Sequence, residues 1–242
     1  MTERLFISDL HLDPSRPGAT AAFLRFLQTE ARQAEQLYIL GDLFEFWIGD
    51  DEDASHSVEI LQALAEYTRA GHHCSVMRGN RDFLLGTQFT RRTGTRLLAD
   101  STVENLFGER VLIMHGDLLC TDDRRYQRYR RIVNNRQLQA LFLSLPRTWR
   151  RAAGTEGRRR SRQHTTSRPA MIMDVNPAAV TAALRQHEVR VLVHGHTHRP
   201  GIHRLGSAGQ PATRIVLGDW YEQGSVLRWT ADGYRLQSLP FA

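Results

Sequence analysis

With 242 residues, 41% of them hydrophobic and 8% aromatic, the chain is long enough for one large globular domain or one domain carrying an insertion. No apolar run reaches the roughly 18 residues of a membrane-spanning helix, and the opening Met-Thr-Glu-Arg-Leu-Phe-Ile-Ser-Asp is no secretory leader, so a cytosolic protein is expected. The formal net charge of +6 is unevenly spread: residues 122–168 hold 14 Arg against Asp122, Asp123 and Glu156, a net +11, which leaves −5 for the remainder.

In chain order, residues 4–8 read as a buried strand and 18–34 as a helix with Phe23, Leu24, Phe26 and Leu27 on its apolar side. A strand at 37–40 ends at Gly41-Asp42, a helix covers 55–70, and a strand at 74–78 ends at Gly79-Asn80. This alternation predicts an α/β sheet with parallel pairing. Segments 101–107 and 110–114 flank Gly108-Glu109 as a hairpin that ends at His115. From about 122 to 170 the strand rhythm stops. Asp122 or Asp123 caps a helix through Tyr126, Tyr129, Ile132 and Val133; a second carries Leu138, Leu141, Phe142, Leu143 and Leu145 up to Pro146; a third, very basic segment runs from Glu156 to Arg168. Helix 177–187, strand 189–194, strand 213–217 and a hairpin near 224–238 complete the pattern. The division this implies is a core of 1–121 and 171–242, with 122–170 as a helical cap inserted into it. Cys74 and Cys120 sit in apolar contexts and read as reduced structural thiols.

The islands between these elements carry the chemistry: Asp9-x-His11, Gly41-Asp42, Gly79-Asn80-Arg81-Asp82, His115-Gly116-Asp117, Gly195-His196-Thr197-His198 and Gly218-Asp219. Each alone is weak. Together, most of them at the ends of apolar runs, they predict that Asp9, His11, Asp42, Asn80, His115, His196 and His198 converge. Oxygen and imidazole donors without thiolate suit Mn, Fe, Zn or Co. Seven donors exceed one ion and fit two ions bridged by a carboxylate. The run Asp50-Asp51-Glu52-Asp53 imitates a metal cluster, but an acidic run in a loop reads more simply as solvated. The basic block suggests an anionic partner, whether phosphate, nucleic acid or a membrane surface, against the plainer reading of a solvated helical face.

The order of these motifs resembles the calcineurin-like metallophosphoesterase superfamily over most of residues 5–219. The resemblance implies a two-sheet β-sandwich flanked by helices. It implies Asp9, His11 and His198 as ligands of one ion, Asn80, His115 and His196 as ligands of the other, and Asp42 as the bridge. Many members carry His after the Asn as a proton donor; here the position is Arg81, which cannot practically release a proton. That favours a leaving group needing little protonation, such as a phosphate, with Arg81 as its clamp; the plainer alternative is that Arg81 pairs with Asp82.

Longer motifs narrow the resemblance. Ser8-Asp9-Leu10-His11-Leu12, Gly41-Asp42-Leu43-Phe44-Glu45-Phe46-Trp47-Ile48-Gly49-Asp50-Asp51, Gly79-Asn80-Arg81-Asp82-Phe83-Leu84-Leu85-Gly86, His115 through Asp123, Ile172-Met173-Asp174-Val175-Asn176 and Leu217-Gly218-Asp219-Trp220 are similar, end to end, to the UDP-2,3-diacylglucosamine pyrophosphatase family of lipid A biosynthesis. The resemblance implies two Mn ions, water attacking the α-phosphorus of UDP-2,3-diacylglucosamine, and release of UMP and 2,3-diacylglucosamine 1-phosphate (lipid X). It carries substrate contacts onto Asn80, Arg81, Asp123, Ser161, Thr165, Arg168 and His196. At Thr165 and Arg168 the family often shows Asn and Lys; both replacements keep hydrogen-bonding capacity. Leu138, Leu141, Phe142, Leu145 and Trp149 would then meet acyl chains, although an aliphatic helix face by itself reads as core packing. A lipid substrate and a basic block together imply peripheral attachment to the cytosolic face of the inner membrane, each basic side chain contributing roughly 1 kcal/mol near an anionic surface. A nuclease is the main rival, since a basic insertion can track a nucleic-acid backbone. The insertion is aliphatic rather than spaced with aromatics for base stacking, so no nucleic-acid partner is expected. A non-catalytic scaffold would have lost some of the seven donors, and all are present. Oligomeric state is left open.

Overall fold

The computed structural model describes residues 2–166, 174–206 and 211–241; for 158–166 the description covers the backbone alone. Its strands are β1 (Arg4–Ile7), β2 (Gln36–Leu40), β3 (His73–Met77), β4 (Arg96–Leu97), β5 (Ser101–Leu106), β6 (Glu109–Met114), β7 (Val191–His194), β8 (Gly201–Leu205), β9 (Ala212–Val216), β10 (Gln223–Thr230) and β11 (Gly233–Pro240). Its helices are α1 (Pro17–Gln28), α2 (Ser55–Arg69), α3 (Thr87–Thr93), α4 (Arg124–Val133), α5 (Arg136–Leu143), α6 (Arg147–Thr166) and α7 (Pro177–Gln186).

Two mixed sheets form, ordered β11-β10-β1-β2-β3-β4 and β5-β6-β7-β9-β8. Within them β1, β2, β3 and β4 run parallel, as do β6, β7 and β9. Period-two alternation sorts each central strand between two cores. Leu5, Ile7, Leu37 and Ile39 face α1 and α2, where Phe23, Phe26, Ile60 and Leu64 cover them. Phe6, Tyr38 and Leu40 point the other way and meet Val111, Ile113, Val191 and Val193 of the second sheet. Leu112, Met114 and Leu192 are covered by Val180 and Leu184 of α7. The result is helix, sheet, sheet, helix, the two-sheet α/β arrangement that the resemblance implied.

Several boundaries differ from expectation. The first helix ends at Gln28, and a separate turn of 3-10 helix covers Ala31–Gln33. The third helix of the insertion starts at Arg147 rather than Glu156, because Pro146 both ends α5 and opens α6, its carbonyl accepting from the backbone of Trp149 and Arg150. Sequence reading passed over α3, β4 and β8, which are short and largely polar. Cys74 and Cys120 are free and buried, as expected.

The insertion is tied down by charge. Arg150 is 2% exposed; its Nη1 donates to Ile48 O at 2.7 Å and to Asp51 Oδ1 at 2.8 Å, and its Nη2 pairs with Asp51. Arg151 bonds Glu52 and Asp53, both at 2.6 Å, and Arg147 pairs with Asp53. Asp50 accepts from Trp47 Nε1 and from the backbone of Gly86 and Phe89, where α3 begins. The acidic run is therefore more than the solvated loop that the sequence suggested: Asp51 and Asp53 stay exposed, yet with Glu52 they hold α6, and Asp50 ties down the start of α3. No helix among the described residues is long and apolar enough to cross a membrane.

Trp220 joins this scaffold to the strand ends. It is fully buried, its ring lies 6.3 Å from Phe23, 5.7 Å from Phe26 and 6.2 Å from Phe241, and its backbone donates to Asp9 O at 3.1 Å. Trp220→Ala is expected to cost about 3–5 kcal/mol, read as a lower urea midpoint at unchanged slope. A loss comparable to that of a surface substitution would contradict its place in the core.

Candidate metal centre

Every parallel strand of the two sheets' centres ends in an island. Asp9 and His11 follow β1, Asp42 follows β2, Asn80 follows β3, His115 follows β6, His196 and His198 follow β7, and Asp219 follows β9. Carboxyl ends of parallel strands are where open α/β sheets place their ligands. Here two sheets contribute to one edge, joined by hydrogen bonds from Trp220 N to Asp9 O at 3.1 Å and from His196 N to Asp9 Oδ2 at 2.9 Å, and by His115 Nδ1 with Leu40 O at 2.9 Å.

The seven expected side chains do converge. Asp42 Oδ2 lies 3.7 Å from His11 Nε2 and 3.7 Å from His115 Nε2, midway between two groups. On one side are Asp9, His11 and His198, with Asp9 Oδ1 3.3 Å from His198 Nε2 and 3.9 Å from His11 Nε2. On the other, Asn80 Oδ1 lies 3.0 Å from His115 Nε2 and 2.8 Å from His196 Nδ1. Donor atoms of Asp9, His11 and His198 lie close enough together to hold an ion, and so do those of Asp9, Asp42 and His115, so Asp9 borders both halves. Ser161 and Thr165, in their side chains, and Arg168 altogether lie outside the described residues. Asp123 serves as the cap of α4, accepting from Tyr126 N at 2.9 Å.

The donors are oriented from outside. His11 Nδ1 meets Glu45 Oε2 at 2.9 Å, His115 Nδ1 meets Leu40 O at 2.9 Å, and His198 Nδ1 meets Asp219 Oδ2 at 3.1 Å. Each outer partner is an acceptor, so Nδ1 carries a proton and Nε2 is the nitrogen turned inward, where it would ligate once free of its own proton. His11 Nε2 and His198 Nε2 lie only 3.3 Å apart, a hydrogen bond that needs a proton on one of them; a divalent cation taking that proton's place would satisfy both nitrogens. Asp9 Oδ1 is buried without a hydrogen bond of good geometry. These features fit divalent cations with oxygen and nitrogen donors. Sequence reading had noted Asp219 as an island and Glu45 only within a motif; it missed both as orienting groups, because the residues they orient lie far away in the chain.

Asp82 is another group whose role the sequence did not reveal. Its buried carboxylate accepts from Gly79 N at 2.7 Å and Leu43 N at 2.8 Å, clamping the loop that carries Asp42 to the loop that carries Asn80. Burial and the neighbouring Asp42 push it up to about 7, against those backbone donors. Asp117 accepts from Tyr126 Oη at 2.7 Å and Arg130 Nε at 2.6 Å, joining α4 to the loop after His115.

Without a cation the centre balances its charge with protons. Burial opposes a charged His115, but Asp42, Asp9 and Asp117 outweigh it and push its pKa up to about 9. Burial likewise opposes charge on His198, and Asp219 and Asp9 raise it to about 10. Burial also opposes ionisation of Asp9, yet His198, His115 and His11 hold its carboxyl far below the usual range. His196 is pushed down to about 4 by burial and by His115.

A dinuclear oxygen–imidazole cluster at the shared edge of two sheets defines the class. The sequence profile described as calcineurin-like phosphoesterase matches residues 4–200, and the chain belongs to that family. The UDP-2,3-diacylglucosamine hydrolase of Aeromonas salmonicida is 53% identical over 96% of this chain and 92% of its own length. Those of Serratia proteamaculans and Klebsiella pneumoniae are 48% and 49% identical over 98% of this chain and 99% of their own. Within the wider family, then, the chain belongs with the UDP-2,3-diacylglucosamine hydrolases. Among solved structures, a novel archaeal phosphodiesterase superposes with a TM-score of 0.50 at 12% identity, covering 98% of this chain and all of its own, a likeness of fold alone.

Because His115 and His198 hold protons in the metal-free state and must lose them to ligate, divalent metal should bind more tightly as pH rises from 6 towards 9 and should release protons on binding. Calorimetry of Mn binding in two buffers of different ionisation enthalpy measures the release; uptake with none would rule out these imidazoles as ligands.

Proposed function

We propose that the chain hydrolyses the pyrophosphate of UDP-2,3-diacylglucosamine, with water attacking the α-phosphorus, to give UMP and 2,3-diacylglucosamine 1-phosphate, and that two Mn ions serve it. The observation that carries this reading is Asp42, equidistant from an Asp9–His11–His198 group and a partner of Asn80, His115 and His196 across it. Asp9, His11 and His198 would hold one ion, Asn80, His115 and His196 the other, and Asp42 both. Bound there, divalent ions would supply positive charge for the phosphoryl oxygens and lower the pKa of water. Glu45, Leu40 O and Asp219 keep the imidazoles in ligating tautomers; Arg81 N, donating to Asp42 Oδ1 at 2.8 Å, keeps the central carboxylate in place.

Arg81 is the residue that selects the leaving group. Its backbone N–H bonds Asp42 Oδ1 at 2.8 Å, which seats it beside the central carboxylate, and its charge is felt by Glu45, Tyr129 of α4 and Tyr221. A guanidinium there neutralises a departing phosphate without giving up a proton. Asp82, the alternative partner weighed for it, is engaged by backbone N–H groups.

The insertion supports a lipid substrate. Tyr129, Ile132, Leu138, Leu141, Leu143, Leu145 and Trp149 are exposed, Leu141 at 63% and Trp149 at 67%, while Phe142 alone of the aliphatic stretch packs on the core. Ordinary core packing does not account for such a face; acyl chains and a membrane surface would. Arg124, Arg125, Arg128, Arg131 and Arg136 are exposed beside it, which supports peripheral attachment to anionic lipid on the cytosolic side. On this reading residues 122–170 are a substrate-binding cap on the 1–121 and 171–242 core, with Asn80, Arg81, Asp123, Ser161, Thr165, Arg168 and His196 as contacts.

The deciding assay gives the Mn-loaded protein UDP-2,3-diacylglucosamine, bis-p-nitrophenyl phosphate and single-stranded DNA in parallel. Selective turnover of the first is expected; equal or faster cleavage of DNA overturns the reading in favour of a nuclease. Asp42→Ala should lose bound metal and turnover by orders of magnitude while the far-UV spectrum persists; near-normal turnover would remove Asp42 from the bridge. Arg81→Ala should slow the natural pyrophosphate by about 10²-fold or more and the aryl diester, whose leaving group needs no help, far less. Equal losses on both would remove its role at the leaving group.

A further inference from the structure

The metal centre has two flanks; of the carried-over contacts whose side chains are described, Asn80, Asp123 and His196 lie towards one, and Arg81 acts on groups of both. Asn80, His196 and Asp123 sit where α4 begins, with the Tyr126 ring 6.0 Å from that of His196. The opposite flank is built by Tyr221 and Arg16, to which nothing so far has given a role. Tyr221 follows Trp220 in the loop after β9 and is 44% exposed. Its ring centroid is 5.3 Å from His11 and 5.3 Å from His198, so it stands directly over that half of the centre. Arg16, just ahead of α1, lays its guanidinium against the ring with Cζ 4.4 Å from the centroid.

Arg16 is held there. Its Nη2 donates to His11 O at 2.6 Å and lies 3.5 Å from Glu45, the carboxylate that also orients His11. Its Nη1 is buried with no hydrogen-bond acceptor among the described residues. A fixed cation against an aromatic ring, with much of that ring still open to solvent beside a phosphate-binding centre, is a stacking platform.

We propose that Tyr221, backed by Arg16, receives the pyrimidine base of the nucleotide half of the substrate. The inference rests on the UDP-sugar reading and deepens it: the lipid half lies along the insertion, and the nucleotide half lies across the centre on the other side. One ribose and its 5′ oxygen separate the base from the α-phosphorus, so a base stacked on Tyr221 leaves that phosphorus near His11 and His198.

The test is calorimetric binding of UMP and of inorganic phosphate to the Mn-loaded full chain, as wild type, Tyr221→Ala, Tyr221→Leu and Tyr221→Trp, with turnover of UDP-2,3-diacylglucosamine measured on the same samples. The Ala and Leu variants should weaken UMP on the order of tenfold, the Trp variant should retain it, and phosphate should change by no more than about twofold throughout. Equal weakening of UMP and phosphate would mean that Tyr221 only supports His11 and His198, and unchanged UMP affinity would mean that the base lies elsewhere; either overturns the platform. Wild-type protein that neither turns over the nucleotide sugar nor prefers UMP to phosphate removes the parent reading and the platform together. Turnover by wild type with unaltered UMP binding in Tyr221→Ala removes the platform alone.

Discussion

The centre depends on backbone that its own side chains disfavour. Asp9, His11, Asp42, His196 and His198 all have φ between 48° and 68°, the left-handed region. For a residue with a Cβ that conformation costs on the order of 1 kcal/mol or more. Five such residues in one cluster persist because the surroundings leave them no alternative. Asp9 and His11 are pinned by backbone bonds to Gly41 and Asp42, Trp220 donates back to Asp9 O, and His196 N donates to Asp9 Oδ2 at 2.9 Å. Sharp left-handed turns at strand ends let residues two apart face one centre: His11 joins Asp9 on one side of Asp42, while His198 and His196 reach its two opposite sides. Glycine completes the device: a Cβ on Gly79 would overlap the Asp42 carboxylate and its backbone nitrogen, and one on Gly195 would overlap Asp9 and Ser8.

Charge is arranged on two scales. Inside, buried carboxylates and imidazoles fit two dications, and without metal the same groups take up protons. Outside, the basic insertion is less available than its composition suggests. Arg147, Arg150 and Arg151 are matched by Asp51, Glu52 and Asp53, and Arg130 by Asp117 and Asp100. The −5 of the body and the +11 of the insertion thus neutralise each other in part at two places, under α6 and beside α4. Among the described side chains of the insertion, Arg124, Arg125, Arg128 and Arg131 on α4 and Arg136 at the start of α5 stay exposed, as do Leu141 and Trp149. That combination of apolar and cationic surface suits an amphiphilic anion better than a bare polyanion.

The sequence disclosed the strand ends and their donors because short apolar runs followed by Gly-Asp, Gly-Asn or Gly-His carry both the strand and the turn in adjacent residues. Asp123 as a helix cap was legible for the same reason. Groups that act across long separations were not. Glu45 lies 34 residues from His11, Asp82 lies 39 from Leu43, and Arg150 lies 99 from Asp51. No local pattern announces a partner at that distance. The left-handed φ values were hidden too, since Asp and His adopt them only under tertiary constraint. The acidic run at 50–53 shows the difficulty well: as sequence it is surface, and as structure it is the anchor of α6.

That anchor has a mechanical meaning. The segment from Asp42 to Asp53 begins at the central carboxylate, passes through the stacked rings of Phe44 and Trp47 at 4.6 Å, and ends on the arginines of α6. It is a single short connection with the candidate metal centre at one end and the insertion at the other. Whatever free energy passes along it is reciprocal. If a ligand that draws α6 closer changes the hold on the ions, the ions change the hold on that ligand by the same factor, and occupancy at either end then gauges the other.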